Sequence, residues 1–144
     1  MVYLLHDIRP KSDLVVNILS SSDEVYTSLR TIEETSYILV RIYLSKRCGA
    51  RSIYQVRETV RKYGLKSVKD ELATLHRLLS EYNIIILQDK VAIDEIHETM
   101  IKYNLLPGDA IIALTCRYHG IDAILTFDED FKRIPWLKVI PHES

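Results

Sequence analysis

The stretch that decides the fold reads LPGDAIIA over residues 106–113 and AILTFDEDF over residues 123–131. The first part predicts a loop that opens a buried helix, with Asp109 in the first helical turn. The second part predicts a buried strand followed directly by Asp128, with Asp130 two residues further on. Carboxylates brought to one edge of a sheet are able to hold a divalent metal ion, which suits hydrolytic chemistry on phosphate.

Length and composition indicate a single soluble domain over residues 1–144, with 47% apolar and 27% charged residues. The sequence contains no apolar run of membrane-spanning length and no secretion signal at its start. Cys48 and Cys116 belong to no paired motif, so we expect reduced thiols and a cytoplasmic location. Cys116 falls inside an apolar helix, where a small buried side chain is expected.

Charge is unevenly distributed along the chain. The stretch from residue 41 to residue 70 carries a net charge of +7, whereas the remainder carries −8. Two interpretations are open: this stretch docks a polyanion while a metal ion neutralises acids elsewhere, or it forms solvated helix faces that happen to be basic. The candidate contacts to a polyanion are Arg47, Arg51, Arg57 and Arg61.

The order of predicted elements alternates helix and strand. Helices are predicted over residues 11–20, 51–63, 67–80 and 90–103 and from residues 31 and 107, and strands over residues 23–28, 84–87, 123–127 and 137–140. The apolar run at 84–87 predicts a strand covered on both faces. Strands joined through helices imply a mainly parallel central sheet with helices on both sides, an α/β/α sandwich.

Three acids are expected at the carboxyl ends of the strands, where open α/β sheets bind their ligands. Asp109 and Asp128 are joined there by Glu34, in the first turn of the helix predicted from Thr31. Each has a purely structural alternative: Glu34 as part of a capping box, Asp109 as an anion at a helix start, and Asp128 as an N-cap. Convergence of all three favours a Mg²⁺ or Mn²⁺ site, because clustered carboxylates repel unless a cation compensates them.

Several other kinds of site are excluded by the sequence. The five histidines have no metal-ligand spacing, and four glycines leave no room for a glycine-rich phosphate loop. No serine lies in a nucleophile-elbow pattern.

The combination of Thr31-x-x-Glu34, LPGDAIIA at 106–113, LTFDEDF at 125–131 and LKVI at 137–140 resembles the PIN-domain ribonucleases, and most closely the toxins of VapBC toxin–antitoxin pairs. The resemblance covers the chain from about residue 25 to its end. It implies a three-layer α/β/α fold, a Mg²⁺- or Mn²⁺-dependent endoribonuclease that hydrolyses RNA, a homodimer, and an antitoxin protein as partner.

The same resemblance implies roles for individual residues. Glu34, Asp109 and Asp128 would form the acidic metal site, with Asp130 as a fourth, weaker member. Thr126 would orient the local backbone and its hydrogen bonds. Independently of the resemblance, the charge distribution suggests that the basic helices from Arg41 to Lys69 would supply phosphate contacts to RNA.

The chain departs from the family at its start, where a strand ending in Asp-x-Asn or Asp-x-Ser normally supplies the first acid. Two interpretations remain open. In the favoured one, residues 2–6 are the helix that follows this strand, so that the chain starts about ten residues late. In the other, residues 2–5 are the strand and Asp7 is the first acid, with Arg9 where a small polar residue is usual.

These alternatives lead to two functional hypotheses. The chain is either an active metal-dependent ribonuclease, or a catalytically incomplete PIN-like module that binds RNA or an antitoxin peptide.

Overall fold

The structure, a computed structural model, describes residues 11–141. The helices are α1 (Lys11–Ser20), α2 (Leu29–Cys48), α3 (Ile53–Tyr63), α4 (Lys69–Glu81), α5 (Ile93–Tyr103) and α6 (Pro107–Tyr118). The strands are β1 (Tyr26–Ser28), β2 (Ile85–Leu87), β3 (Ala123–Leu125) and β4 (Lys138–Ile140), and short 3₁₀ helices cover Lys66–Val68 and Glu129–Arg133. Helices and parallel strands therefore alternate, which confirms the predicted α/β class.

Local sequence explains where the helices begin. The hydroxyl of Ser52 accepts from the backbone N–H of Gln55, whose side chain accepts from the Ser52 N–H in return, so that a capping box opens α3. Pro107 occupies the first turn of α6, where its missing N–H costs no helical hydrogen bond. These two helices begin within two residues of the positions that the sequence predicts.

The chain divides into two compact units, each with its own core. The first unit comprises Met1–Tyr26 and Ile32–Ile85, and a cluster of buried apolar residues in it is formed by Leu44, Ala50, Val56 and Val68. The second unit comprises Thr27–Thr31 and Ile86–Ser144. Its core is built from α6, the turn after β3, and β4, with Leu105, Ala110, Ala113, Phe131, Ile134, Leu137 and Val139 buried.

The strands of residues 11–141 form two two-stranded sheets, β1 with β2 and β3 with β4. The second pair is parallel, with Ala123 opposite Lys138 and Leu125 opposite Ile140. Parallel pairing places the ends of β3 and β4 side by side, so that the residues after β3 leave the sheet at a defined edge.

Two expectations need correction. Helix α2 begins at Leu29 rather than at Thr31, because the hydroxyl of Ser28 accepts from the Thr31 N–H at 3.0 Å and so caps the helix earlier. The apolar run of β2 is not covered on both faces, since Ile85 is 47% exposed and Ile86 is 46% exposed. An apolar run predicts a strand, but it does not determine whether other segments of the chain pack on both faces of that strand.

The expectations for residues 2–6, Asp7 and Arg9 fall outside the residues that the structure describes. Between residues 11 and 141, none of the helices combines the length and the apolar character needed to cross a membrane.

Candidate metal centre

Three carboxylates meet in the second unit. Asp109, Asp128 and Asp130 each offer an oxygen within 4.8 Å of the others, and they are half-buried, exposed and half-buried respectively. Asp109 comes from the first turn of α6, whereas Asp128 and Asp130 come from the turn that follows β3. Residues almost twenty positions apart in the sequence are thus brought to one place by the packing of α6 beside the β3–β4 pair.

The turn after β3 is organised by a chain of hydrogen bonds. The Thr126 N–H donates to the Ile140 carbonyl at 2.9 Å, which prolongs the β3–β4 pairing by one bond. The Thr126 hydroxyl accepts from the Asp128 N–H at 3.1 Å, and Oδ1 of Asp128 accepts from the Asp130 N–H at 2.9 Å. Thr126 therefore orients the local backbone, in the manner that the resemblance implies.

Asp128 combines two roles that the sequence treats as alternatives. It is the N-cap of the 3₁₀ helix Glu129–Arg133, and it is also a member of the acidic group. The two roles are compatible because a carboxylate has two oxygens and several lone pairs, and a single N–H occupies only one of them.

Asp109 owes its position to the burial of α6. Ala110 and Ala113 are fully buried in the core of the second unit, which fixes the rotation of the helix and the direction of its first turn. A carboxylate in that turn also interacts favourably with the positive end of the helix dipole. The predicted pattern of a buried helix with an acid at its start is therefore what the structure contains.

Asp130 is held by an arginine from its own turn. Nη2 of Arg133 lies 2.6 Å from Oδ1 of Asp130, and Nη1 of Arg133 donates to the carbonyl oxygen of Asn104 at 2.6 Å. Asn104 is the left-handed residue that ends α5. The arginine thus joins one acid of the group to the end of a helix.

Glu34 lies in the first unit, exposed on α2, so its assignment to the metal site stays a prediction. The cap of α2 is made by Ser28 and Thr31, which means that Glu34 is not needed as a capping residue. The remaining sequence candidates, Arg47, Arg51, Arg57 and Arg61, are also exposed in the first unit. Among them Arg61 forms an exposed ion pair with Glu58 at 2.8 Å.

The sequence predictions do not include Asp89 or Arg30, two residues of the second unit that each follow a strand. Asp89 comes shortly after β2; its Oδ1 accepts from the hydroxyl of Thr115 on α6 at 2.8 Å, and its Oδ2 accepts from the Arg30 N–H at 3.0 Å. The guanidinium of Arg30 lies against Gly108, the residue before Asp109. The rule that selects Asp128, an acid just beyond a strand, would also have selected Asp89.

The acidic group is chemically suited to a hard divalent cation. All its donors are carboxylate oxygens, which Mg²⁺ and Mn²⁺ prefer over nitrogen or sulfur ligands. Oxygens on opposite sides of a Mg²⁺ ion are about 4.2 Å apart. Neighbouring oxygens of such an ion are only about 2.9 Å apart. The oxygens of the three aspartates lie within 4.8 Å of one another, so their side chains would have to draw closer to share one ion.

Comparison with known proteins agrees with this arrangement. The model of the PIN domain family matches residues 1–137. Ribonuclease VapC2 of Methanocaldococcus jannaschii is 38% identical over 76 residues, which are 53% of this chain and 49% of that protein. Ribonuclease VapC6 of the same organism is 27% identical over 103 residues, which are 70% of this chain and 66% of that protein.

The match thus spans between about half and two thirds of the length of these relatives. No solved structure gives a significant match. The family model covers almost the whole chain and includes the segments that carry the three gathered aspartates. The chain is therefore a member of the PIN domain family.

Proposed function

We propose that this protein is a Mg²⁺- or Mn²⁺-dependent endoribonuclease that hydrolyses phosphodiester bonds of RNA. The observation that carries the proposal is the grouping of Asp109, Asp128 and Asp130 within 4.8 Å in a PIN domain chain. The names of both relatives, ribonucleases VapC2 and VapC6, support the same substrate.

Within this proposal the chain's own residues have distinct roles. Asp109 and Asp128 would hold the metal ion, Glu34 is the further ligand that the family resemblance implies, and Asp130 would serve as a ligand or as the general base. A bound ion of this kind lowers the pKa of a coordinated water and offsets negative charge on the phosphate during hydrolysis. Thr126 keeps Asp128 in place because its hydroxyl accepts from the Asp128 N–H. Arg133 keeps Asp130 in place through an ion pair.

The basic helices of the first unit are the proposed contacts to the rest of the RNA. All four arginines are exposed: Arg47 lies on α2, Arg51 lies in the loop after it, and Arg57 and Arg61 lie on α3. Exposed tyrosines accompany them, with Tyr54 74% exposed and Tyr63 65% exposed. Arginine binds phosphate and tyrosine stacks on bases, so that this composition suits a single strand.

The biological setting is proposed from the relatives. A VapC-like ribonuclease would act as the toxin of a toxin–antitoxin pair, bind a small antitoxin protein, and form a homodimer in the cytoplasm. Light scattering of the purified protein measures the dimer directly, and a mass equal to one chain would contradict it.

Cleavage of a single-stranded RNA in Mn²⁺ and in EDTA tests the activity. We expect cleavage in Mn²⁺ only, and its loss in Asp109→Asn, which keeps the shape of the side chain and removes its charge. Asp122→Asn is the matched control, because Asp122 is an exposed aspartate that precedes β3 outside the acidic group. Equal cleavage by the wild type and Asp109→Asn would rule out this site.

The competing function is a PIN-like module that binds RNA or an antitoxin peptide without catalysis. Metal binding separates the two, since an ion that binds only the folded state raises the melting temperature as its concentration rises. A melting temperature that Mn²⁺ leaves unchanged, together with RNA binding in EDTA, would favour the non-catalytic module.

A further inference from the structure

Arg30 is held through its backbone, and its side chain lies against Gly108. Its N–H donates to Oδ2 of Asp89, and the other oxygen of Asp89 accepts from Thr115, which is 2% exposed on α6. The start of α2 is thereby tied to α6 by a single carboxylate. All these residues belong to the second unit, which includes Thr27–Thr31.

The guanidinium of Arg30 lies in the space that a side chain on residue 108 would begin to fill. A Cβ atom on Gly108 would lie 2.8 Å from Nη2, 3.0 Å from Nε and 3.3 Å from Cζ of Arg30. These distances are shorter than van der Waals contact, so that the guanidinium packs directly on the backbone of Gly108. The next residue along α6 is Asp109, a member of the acidic group.

A guanidinium packed on Gly108, the residue before Asp109, has a specific chemical use. The carboxylates attract a divalent cation but repel the phosphate that the cation must meet. An arginine next to them restores attraction for phosphate, and its planar group with several N–H donors matches two phosphate oxygens at once. Gly108 also lacks a side chain that would screen this approach.

We propose that Arg30 is a phosphate-binding residue of the metal centre, which contacts the RNA phosphate that lies at the acidic group, and that Gly108 is required to let it reach that position. This inference rests on the proposed ribonuclease function. It assigns the chain a substrate contact in the first turn of α2, in addition to the acidic residues and to Arg47, Arg51, Arg57 and Arg61.

The test measures RNA binding rather than cleavage. Wild type, Arg30→Gln, Arg30→Lys and Gly108→Ala are titrated into a fluorescein-labelled single-stranded RNA in Ca²⁺, and a gel confirms that the RNA stays intact. Arg77→Gln is the matched control, because Arg77 is an exposed arginine on α4. Affinity is measured at several salt concentrations, and the melting temperature of each variant is recorded.

We expect Arg30→Gln to weaken RNA binding roughly tenfold, as for the loss of one charge-assisted hydrogen-bond pair. The slope of log affinity against log salt should fall by about 0.7, the value for one phosphate contact to a single strand. Arg30→Lys should retain part of the affinity, since lysine keeps the charge but not the planar group. Arg77→Gln should change neither quantity.

Gly108→Ala is the sharper variant, because it leaves Arg30 in the sequence and only displaces its guanidinium. We expect it to weaken RNA binding in the same direction as Arg30→Gln, with a melting temperature equal to or above that of the wild type, since alanine is a better helix former than glycine. A structural role alone would lower stability and would leave the salt slope unchanged.

The outcomes separate this inference from the function on which it rests. If the wild type cleaves RNA in Mn²⁺ and both variants bind RNA with the wild-type affinity and salt slope, the role of Arg30 is overturned and the ribonuclease stands. If the wild type does not cleave but both variants still lose affinity and slope, the phosphate contact stands and the catalytic proposal fails. A wild type that neither binds nor cleaves RNA overturns both.

Discussion

Arg133 joins Asp130 to the end of α5: its Nη2 lies 2.6 Å from Oδ1 of Asp130, while its Nη1 donates to the Asn104 carbonyl at 2.6 Å. The ion pair is local, but the hydrogen bond to Asn104 reaches across 29 residues. A side chain that links an acidic turn to a helix end contributes to the stability of the second unit, besides orienting Asp130.

Removal of this link should be measurable. We expect Arg133→Gln to lower the free energy of unfolding by about 1 kcal/mol, because a hydrogen bond to a helix-terminal carbonyl and an ion pair are lost together. Arg61→Gln is the control, since Arg61 forms an ion pair with Glu58 and both side chains are more than 70% exposed. That variant should lose less than about 0.5 kcal/mol. Urea unfolding compares the two, and equal losses would contradict the role given to Asn104.

The bridge made by Asp89 should be more costly to break. Asp89→Ala leaves the hydroxyl of Thr115 and the N–H of Arg30 without this acceptor, so we expect a loss of about 2 kcal/mol in the free energy of unfolding. Asp89→Asn, which keeps one acceptor oxygen, should lose about half as much. Urea midpoints at an unchanged slope measure both.

A double-mutant cycle with Thr115→Val isolates the bond between the two side chains. The double variant should lose less than the sum of the single variants, because residues in direct contact do not act independently. Additive losses would show that Asp89 and Thr115 stabilise the protein separately.

Thr126 offers a prediction for the metal centre itself. Thr126→Val keeps the shape of the side chain but removes the hydroxyl that accepts from the Asp128 N–H. We expect the rise in melting temperature produced by Mn²⁺ to require several-fold more metal in this variant, because Asp128 loses part of its orientation. Thr126→Ser, which keeps the hydroxyl, should behave like the wild type. An identical Mn²⁺ response of the valine variant would contradict this role.

Cys116 gives a pH dependence with a defined sign. Burial raises the pKa of the Cys116 thiol from its ordinary value of 9.0 to about 11. Between these values the unfolded chain releases the proton while the folded chain retains it, so this contribution to stability is full below pH 9 and is lost as the pH rises towards 11. By pH 10 the loss amounts to about 1 kcal/mol.

The wild type should therefore lose more stability than Cys116→Ala between pH 8 and pH 10, as measured by urea unfolding at each pH. Only the difference between the two proteins is compared, so that other titrating groups cancel. Thiol labelling of the native protein at pH 8 should modify the exposed Cys48 faster than Cys116. Parallel pH profiles for the two proteins would contradict the assignment.

The sequence predicts most of the second unit because its signals are local. Pro107 and Asp109 mark the start of a helix, and the apolar residues of β3 followed by Asp128 mark the end of a strand. Parallel pairing of β3 with β4 follows from the connection between them. Three of the four predicted acids, Asp109, Asp128 and Asp130, are consequently found together.

What the sequence does not reveal depends on contacts between distant segments. Asp89 bonds to Thr115 across 26 residues and to Arg30 across 59 residues, and no spacing rule encodes either distance. The packing of Arg30 on Gly108 likewise depends on how residues 27–31 and the start of α6 meet within the second unit. Exposure of Ile85 and Ile86 is also a tertiary property, which an apolar run cannot indicate.

The hydrogen bond from the Asp130 N–H to Oδ1 of Asp128 would make the Asp130 amide an internal indicator of the proposed metal binding. A cation drawn to the Asp128 carboxylate withdraws electron density from the oxygen that accepts this bond. The chemical shift of the Asp130 amide and its rate of hydrogen exchange should therefore change when a cation binds. Spectroscopy at a single backbone position can then follow the metal centre without substrate and without any mutation.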